Sequence, residues 1–379
     1  MHSTTHFEVT PTLNLDGNRD DRCPEELVNR YEAIIHGERL NWTTHHRLMR
    51  LLGAGGQGVV YLTDRRGADG FTLPVALKIF SPSHYEDAAQ YDDAMARIAR
   101  VAALVAQIQQ DNLIDVHNFV DPDRIRMMLM EWVDGFDLRR LLLPVMLDDV
   151  EHRVSRKRWE YINRVIVTAG QLQPRLKPGV AVKILRDCLA ALAALHQKGI
   201  VHGDIKPSNI MLKRTGTAKI VDIGSAFEID DPPPQRTCTP TYAAPEVLEG
   251  TEATPSSDLA SLGYVLVELL SGRPPFAGLN NLRDLLEAKR FIGQRLDSFL
   301  PDDVTRNELL MHLVKGLIAP DPQRRFPTAQ DADLDEQGAA AFHRQLVKGD
   351  LAAEYDNDIR LWLEELHELD KGDEPTEMA

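Results

Sequence analysis

The stretch His202-Gly203-Asp204-Ile205-Lys206-Pro207-Ser208-Asn209 constrains this chain more than any other. It sets a carboxylate, an ammonium two residues on and an amide five residues on within one short segment. Such a trio suits a reaction in which a hydroxyl is oriented, a phosphate steadied and a metal held. The plain alternative is a turn whose Asp and Asn bond their own backbone. Downstream stands a second acid, Asp222 of Asp222-Ile223-Gly224, preceded by the run Ala218 to Val221, which reads as a short strand. Two acids and an Asn suit a magnesium ion held against a polyphosphate.

These stretches resemble the HRDxKxxN and DFG motifs of a eukaryotic-like, bacterial-type Ser/Thr protein kinase, here HGDIKPSN and DIG. The form is non-RD, with Gly203 where the family often has Arg. The resemblance runs over about residues 46 to 328, in the family's order. It implies an α+β, two-lobed protein kinase fold with a small β-rich N-lobe, a larger helical C-lobe and ATP in the cleft between them. It also implies that Asp204 accepts or orients the substrate hydroxyl proton and that Lys206 neutralises the transferring phosphoryl. Asn209 and Asp222 would ligate Mg2+.

From His46 the pattern is one of strands, Leu48 to Leu52 and Val59 to Thr63, with Gly53-Ala54-Gly55-Gly56-Gln57-Gly58 between them. Glycines there let main-chain N–H groups approach phosphate oxygens with no Cβ in the way. A dinucleotide-binding fold would need a helix after the last glycine, whereas here a strand follows. The run Val75-Ala76-Leu77-Lys78 then matches the family's VAxK, which implies Lys78 on the α- and β-phosphates. Beyond a strand at Ile125 to Glu131 the chain reads Met130-Glu131-Trp132-Val133-Asp134-Gly135, which resembles the hinge between kinase lobes. By that resemblance main-chain groups of Glu131 and Val133 bond the adenine, Met130 is the gatekeeper and Asp137 meets the ribose. The nucleotide-binding set implied is Leu52, Gly53, Gly55, Gly58, Val60, Ala76, Lys78, Glu131, Val133, Asp137 and Met211.

The chain departs from the family at the helix that should bring a Glu to Lys78. Ala94 to Gln110 reads as helix and carries no acid. Val101 or Arg97 falls where the Glu belongs, which leaves Glu86, Asp92 and Asp93 as substitutes, or no ion pair at all. Residues of about 147 to 175 form an insertion. It holds Arg153, Arg156, Lys157 and Arg158, then Trp159, Ile162, Val165 and Ile166 at helical spacing, and its basic run reads as a docking surface for a regulatory partner or simply a solvated face. A helix from Val180 to His196 leads to the catalytic loop. The run Thr239-Pro240-Thr241-Tyr242-Ala243-Ala244-Pro245-Glu246 matches the end of a kinase activation segment, and Lys206 together with Thr239 implies Ser/Thr specificity. Thr237 is the natural phosphorylation site. With Gly203 in place of Arg, activity should depend little on it. Asp258 leads a helix over Ser257 to Leu270, with Gly272 as its stop. By resemblance it braces the catalytic loop, and Arg325 pairs with Glu246.

The domains read as an N-terminal extension over 1–45, the kinase domain over 46–330 with its insertion, and an acidic helical extension over 331–379. Leu27, Tyr31, Ile34 and Ile35 share one helical face before Gly37, and Ile359, Trp362, Leu363 and Leu366 share another within a helix from Leu351 to Leu369. Each packs on its neighbouring lobe or binds a regulatory partner. The 58 acidic and 43 basic residues give a net charge of -15, which disfavours nucleic acid and anionic membrane as partners. Cys23, Cys188 and Cys238 are too scattered for a disulfide framework or a zinc cluster. With no apolar run of spanning length and no leader in Met1 to Thr12, the expectation is a cytoplasmic enzyme acting on protein Ser/Thr. Two other readings stand beside the kinase. One is a pseudokinase that binds nucleotide or protein, favoured by the missing acid and by Ile223 in place of an aromatic. The other is a small-molecule phosphotransferase, disfavoured by the run ending at Glu246.

Overall fold

The computed structural model describes residues 13–14, 25–37, 39–41, 45–234, 237–348 and 355–372. The readings for Met1 to Thr12 and Cys23, and the part of the 331–379 extension after Gly372, lie outside them. The chain forms two compact units. The smaller comprises Met1–Gln109, Ile114–Val133 and Asp222–Thr239, and the larger Gln110–Leu113, Asp134–Val221 and Pro240–Ala379.

The small unit is built on an antiparallel sheet of β1 (Arg39–Asn41), β2 (His45–Gly55), β3 (Gly58–Arg66), β4 (Thr72–Phe80), β5 (Val116–Val120) and β6 (Met127–Glu131), in the order β1-β2-β3-β4-β6-β5. Gly55 pairs with Gly58, so β2 and β3 form a hairpin whose tip is the glycine-rich loop. In β4 every residue from Val75 to Phe80 is buried, the signature of a strand covered on both faces. Lys78 is carried within that run.

One cover is α1 (Glu25–Ile35). Its residues Leu27 and Tyr31 join Val75, Leu77, Ile79, Ile125, Met127 and Leu129 in one cluster. The helix before the family match is therefore core, not a free partner surface. The other helix of this unit is α2 (Ala88–Val105), which begins earlier and ends earlier than its composition suggested. Asp87 starts it by accepting the N–H of Gln90 at 2.8 Å, a cap stronger than any propensity downstream. Past Val105 the chain leaves the helix and turns at Gln110, whose side chain accepts the N–H of Asn112.

The large unit is mainly helical. Its small sheet pairs β8 (Ile210–Lys213) with both β7 (Gly135–Asp137) and β9 (Ala218–Ile220), and Met211 stands opposite Asp137. Gly135 is required there, because a Cβ would lie 1.9 Å from the carbonyl of Leu212. After the four-residue α3 (Leu138–Leu141) the insertion forms α4 (Pro144–Arg153) and α5 (Arg156–Val165). It ends in a short hairpin of Val167–Thr168 with Arg175–Leu176, which helical spacing did not foretell. Next come α6 (Pro178–Gln197) and α7 (Pro255–Ser271). In α7 every residue from Ser257 to Ser271 is buried, as expected of a helix apolar on all sides. A Thr254–Ser257 capping box opens it, and Gly272 closes it in the left-handed conformation at φ 70°.

The last described helix, α8 (Tyr355–Gly372), belongs to the same core. Ile359, Trp362, Leu363 and Leu366 are all at most 2% exposed. Its polar side meets the insertion: Arg158 Nε donates to Glu365 at 2.6 Å and Tyr161 donates to Asp358 at 2.9 Å. Asp356 pairs with Lys183 of α6 at 2.6 Å. The basic run of the insertion is thus matched in part by acids of the chain's own C-terminal helix.

Candidate active site

Each unit gathers one set of the anticipated residues. In the small unit the set lies around the glycine-rich loop. A Cβ added to Gly53 or Gly55 would meet nothing within 4 Å. Packing within the protein therefore does not require glycine at either position, and both leave the main chain open to approach. Gly58 differs, for its φ is 135° and a Cβ would fall 2.0 Å from the Ile79 carbonyl. Leu52 lies in β2, Val60 pairs with Lys78 across β3 and β4, and Ala76 is buried in β4.

The Lys78 ammonium is almost wholly buried, with its side chain 4% exposed. It donates to Asp222 Oδ1 at 2.5 Å and to Gln57 Oε1 at 2.8 Å. The expected acid from α2 is absent. Asp92 pairs instead with Arg124 at 2.6 Å and Arg126 at 2.7 Å, and Glu86 accepts from Gln90. The remaining candidate, Asp93, is exposed. The basic side of α2 also has an internal partner, since Arg100 pairs with Glu228 and Asp231 beyond the DIG motif.

Asp222 has φ 63°, a left-handed conformation that costs a residue with a Cβ about 1–2 kcal/mol. The ion pair to Lys78 and the Gly224 N–H, which donates to Asp222 Oδ1 at 2.9 Å, hold it there. At the other end of this unit Met130 and Val133 are buried, while Glu131 donates its N–H to the Asp115 carbonyl and accepts the Asp115 N–H on its side chain. In the activation segment Thr239 is buried, and Thr237 and Cys238 pair antiparallel with Asn14 and Leu13.

The large unit holds the catalytic loop. Lys206 Nζ lies 2.7 Å from Asp204 Oδ2, so the ammonium and the carboxylate are adjacent as their spacing suggested. Asn209 donates Nδ2 to the Asp204 carbonyl at 2.8 Å and to Asp204 Oδ2 at 3.2 Å. That fixes the amide, with Oδ1 as its acceptor atom. Asp258 braces the loop from α7. Its carboxylate accepts the N–H groups of His202 at 2.8 Å and Gly203 at 2.9 Å, and it bonds His196 Nε2 at 2.9 Å. Burial alone would push this carboxyl's pKa up, but the contacts with His196 and His202 outweigh it and hold it below the ordinary value. Gly203 has φ 76°, in the left-handed region that glycine enters without steric cost.

Two further anticipated residues pair as expected. Arg325 grips Glu246 with both amino groups, at 2.7 and 2.8 Å, and its side chain is completely buried. Asp137 has a role that the sequence did not suggest, because Oδ1 caps α3 through the N–H of Arg140 at 2.9 Å. Burial raises its pKa. Gln57 and Ser225 were missed altogether. The only signal was position, a polar residue at the loop tip and a hydroxyl directly after DIG, and neither is distinctive in sequence.

In the small unit Asp222 and the open glycine loop, and in the large unit Asn209, each offer groups of the kind that suit a magnesium nucleotide, hard oxygen donors and an accessible main chain. Among the described residues no helix is long and apolar enough to cross a membrane. A protein kinase domain matches residues 46–333. Similar curated proteins include the serine/threonine-protein kinase PrkC of Bacillus subtilis, 28% identical over 80% of this chain and 41% of its own length. PknD of Mycobacterium tuberculosis (strain CDC 1551 / Oshkosh), also a serine/threonine-protein kinase, is 31% identical over 79% of this chain and 40% of its own. PknB of Mycolicibacterium smegmatis is 29% identical over 82% and 43%. The chain therefore spans about two fifths of the length of these relatives. With the match covering most of the chain and the bilobal α+β architecture in place, this chain belongs to the protein kinase domain family.

Proposed function

We propose that this chain is an ATP-dependent serine/threonine protein kinase that passes the γ-phosphoryl group of ATP to hydroxyls of protein substrates. The observation that carries the proposal is the catalytic loop, where Asp204, Lys206 and Asn209 are locked together and held from behind by Asp258. In this reading Asp204 orients the incoming hydroxyl and receives its proton, while Lys206 faces the charge that develops on the transferring group. Lys78 and the main chain of the glycine loop hold the nucleotide's phosphates, and the strand end at Glu131 to Val133 holds its base. Magnesium, when bound to Asp222 and Asn209 Oδ1, supplies charge neutralisation on the phosphates. Thr239 beside the segment that ends at Glu246 supports Ser/Thr over Tyr. The proposal includes a cytoplasmic location, where ATP is available, and a soluble-fraction assay checks it.

The test is transfer of labelled phosphate from ATP with magnesium to the chain itself and to a basic protein. Asp204→Asn should lower transfer at least a hundredfold and leave the ATP-induced rise in melting temperature intact. Full activity in that variant, or phosphate appearing on small alcohols but never on protein, would overturn the proposal.

A further inference from the structure

Lys78 raises a problem that the family match leaves open: a buried ammonium that must meet phosphates needs a partner to aim it, and α2 supplies none. Every acid near the start of α2 is engaged elsewhere or exposed. Asp87 caps the helix, Glu86 bonds Gln90, Asp92 pairs with two arginines and Asp93 faces solvent. We propose that Gln57, at the tip of the glycine-rich loop, is the residue that positions Lys78 in this protein. The inference rests on the kinase reading given above.

The geometry is specific. An ammonium only donates, so the atom 2.8 Å from Lys78 Nζ is the amide oxygen of Gln57. The amide nitrogen then donates to Ser225 Oγ, also at 2.8 Å, which fixes the side chain at both ends. Gly224 makes room for this arrangement. A Cβ there would stand 2.1 Å from Gln57 Oε1 and 2.5 Å from Lys78 Nζ. The loop tip that carries Gln57 is itself pinned. Its carbonyl accepts the Ser81 N–H at 2.9 Å, and Gly58 beside it lies against the Ile79 carbonyl.

An amide in this place differs from a carboxylate in one physical respect. It orients the ammonium without neutralising it, so the whole charge of Lys78 remains for Asp222 and for the phosphates. Gln57 is thus a positioning residue that acts through Lys78.

Steady-state kinetics at saturating ATP, with Gln57→Met and Gln57→Glu beside the parent, tests this. Met keeps the length and removes the acceptor, so kcat should fall tenfold or more, the scale expected for a misplaced catalytic group. Glu restores an acceptor and should recover most of that loss. A role confined to shaping the loop works through the Gln57 carbonyl and would treat the two variants alike. Gln57→Met retaining more than half of the parent's kcat, or Gln57→Glu as impaired as Gln57→Met, would overturn the inference while leaving the kinase reading intact. Should the parent itself transfer no phosphate, the kinase reading fails and the inference is judged separately. Acylation of Lys78 by an ATP acyl phosphate, followed by mass spectrometry, should then be slower in Gln57→Met than in the parent and in Gln57→Glu. Equal rates in all three would sink it.

Discussion

Replacing Arg325 by Met should cost this protein about 4 kcal/mol, and most of that cost should come from the partner left behind. Arg325 makes two bonds to the Glu246 carboxylate and donates to the carbonyls of Ala319 at 2.8 Å and Ser256 at 2.9 Å. Its side chain is fully buried and that of Glu246 is 15% exposed. Met fills part of the space but leaves Glu246 with the Ser257 hydroxyl, at 3.0 Å, as its remaining side-chain donor. Breaking a buried pair by removing one partner costs about 3–5 kcal/mol, because an uncompensated charge stays behind. Adding Glu246→Gln to the same chain should therefore recover stability, since it removes the stranded charge.

The pH dependence gives the sharper test. Burial pushes the Glu246 carboxyl up, but the Arg325 guanidinium outweighs it and holds the group below its ordinary 4.5. A carboxyl depressed in the folded state contributes stability that is fully present above its unfolded pKa. That stability is lost as pH falls through the folded value. In Arg325→Met burial, the largest influence, is opposed only by Glu246's own main-chain N–H and the Ser257 bond, the shift turns upward, and the variant's deficit should shrink as pH falls from 7 toward 4. Urea unfolding at the two pH values measures both effects. A cost under about 1.5 kcal/mol at pH 7, or a deficit that grows on acidification, would refute the electrostatic account.

The other predictions are simpler. Gly203→Arg places a side chain at φ 76° and should destabilise the fold by about 1–2 kcal/mol in urea unfolding. Trp362→Ala should cost about 3–5 kcal/mol, as for a large core side chain, since Trp362 is 2% exposed. A cost below 1 kcal/mol in the same assay would mean that α8 does not depend on this residue for its packing.

Much of the catalytic half was legible because its motifs are local. Asp204, Lys206 and Asn209 lie within six positions, so the short loop that spells them also brings them together. The helix that Asp258 leads was readable from its apolar run and closing glycine, whereas the bracing role of Asp258 came from likeness to a family. The pairing of Arg325 with Glu246 spans 79 positions and came only from likeness to a family. No rule of periodicity would have joined them. The boundary of α2 was misplaced because composition ranks residues by helix propensity, whereas one Asp87 side chain, by capping, decided the start. The insertion shows the same limit, for its basic residues read as either a docking surface or a solvated face, and nothing in their spacing showed that acids of α8 would meet two of the insertion's side chains.

The missing acid follows the same logic one step further. A search along α2 for a carboxylate assumes that the partner of Lys78 must come from the helix that usually provides it. What the site requires physically is an acceptor within hydrogen-bond reach of a buried ammonium. Any element that ends there can meet that requirement. The β2–β3 hairpin ends there, and its register sets which residue arrives: Gly55 opposite Gly58 leaves Gln57 at the tip, while Val60 opposite Lys78 fixes the distance from tip to ammonium. The same hairpin that leaves room over Gly53 and Gly55 thus also delivers the amide that aims Lys78. Shifting that register by one residue would reverse which side chains face inward and remove both features together.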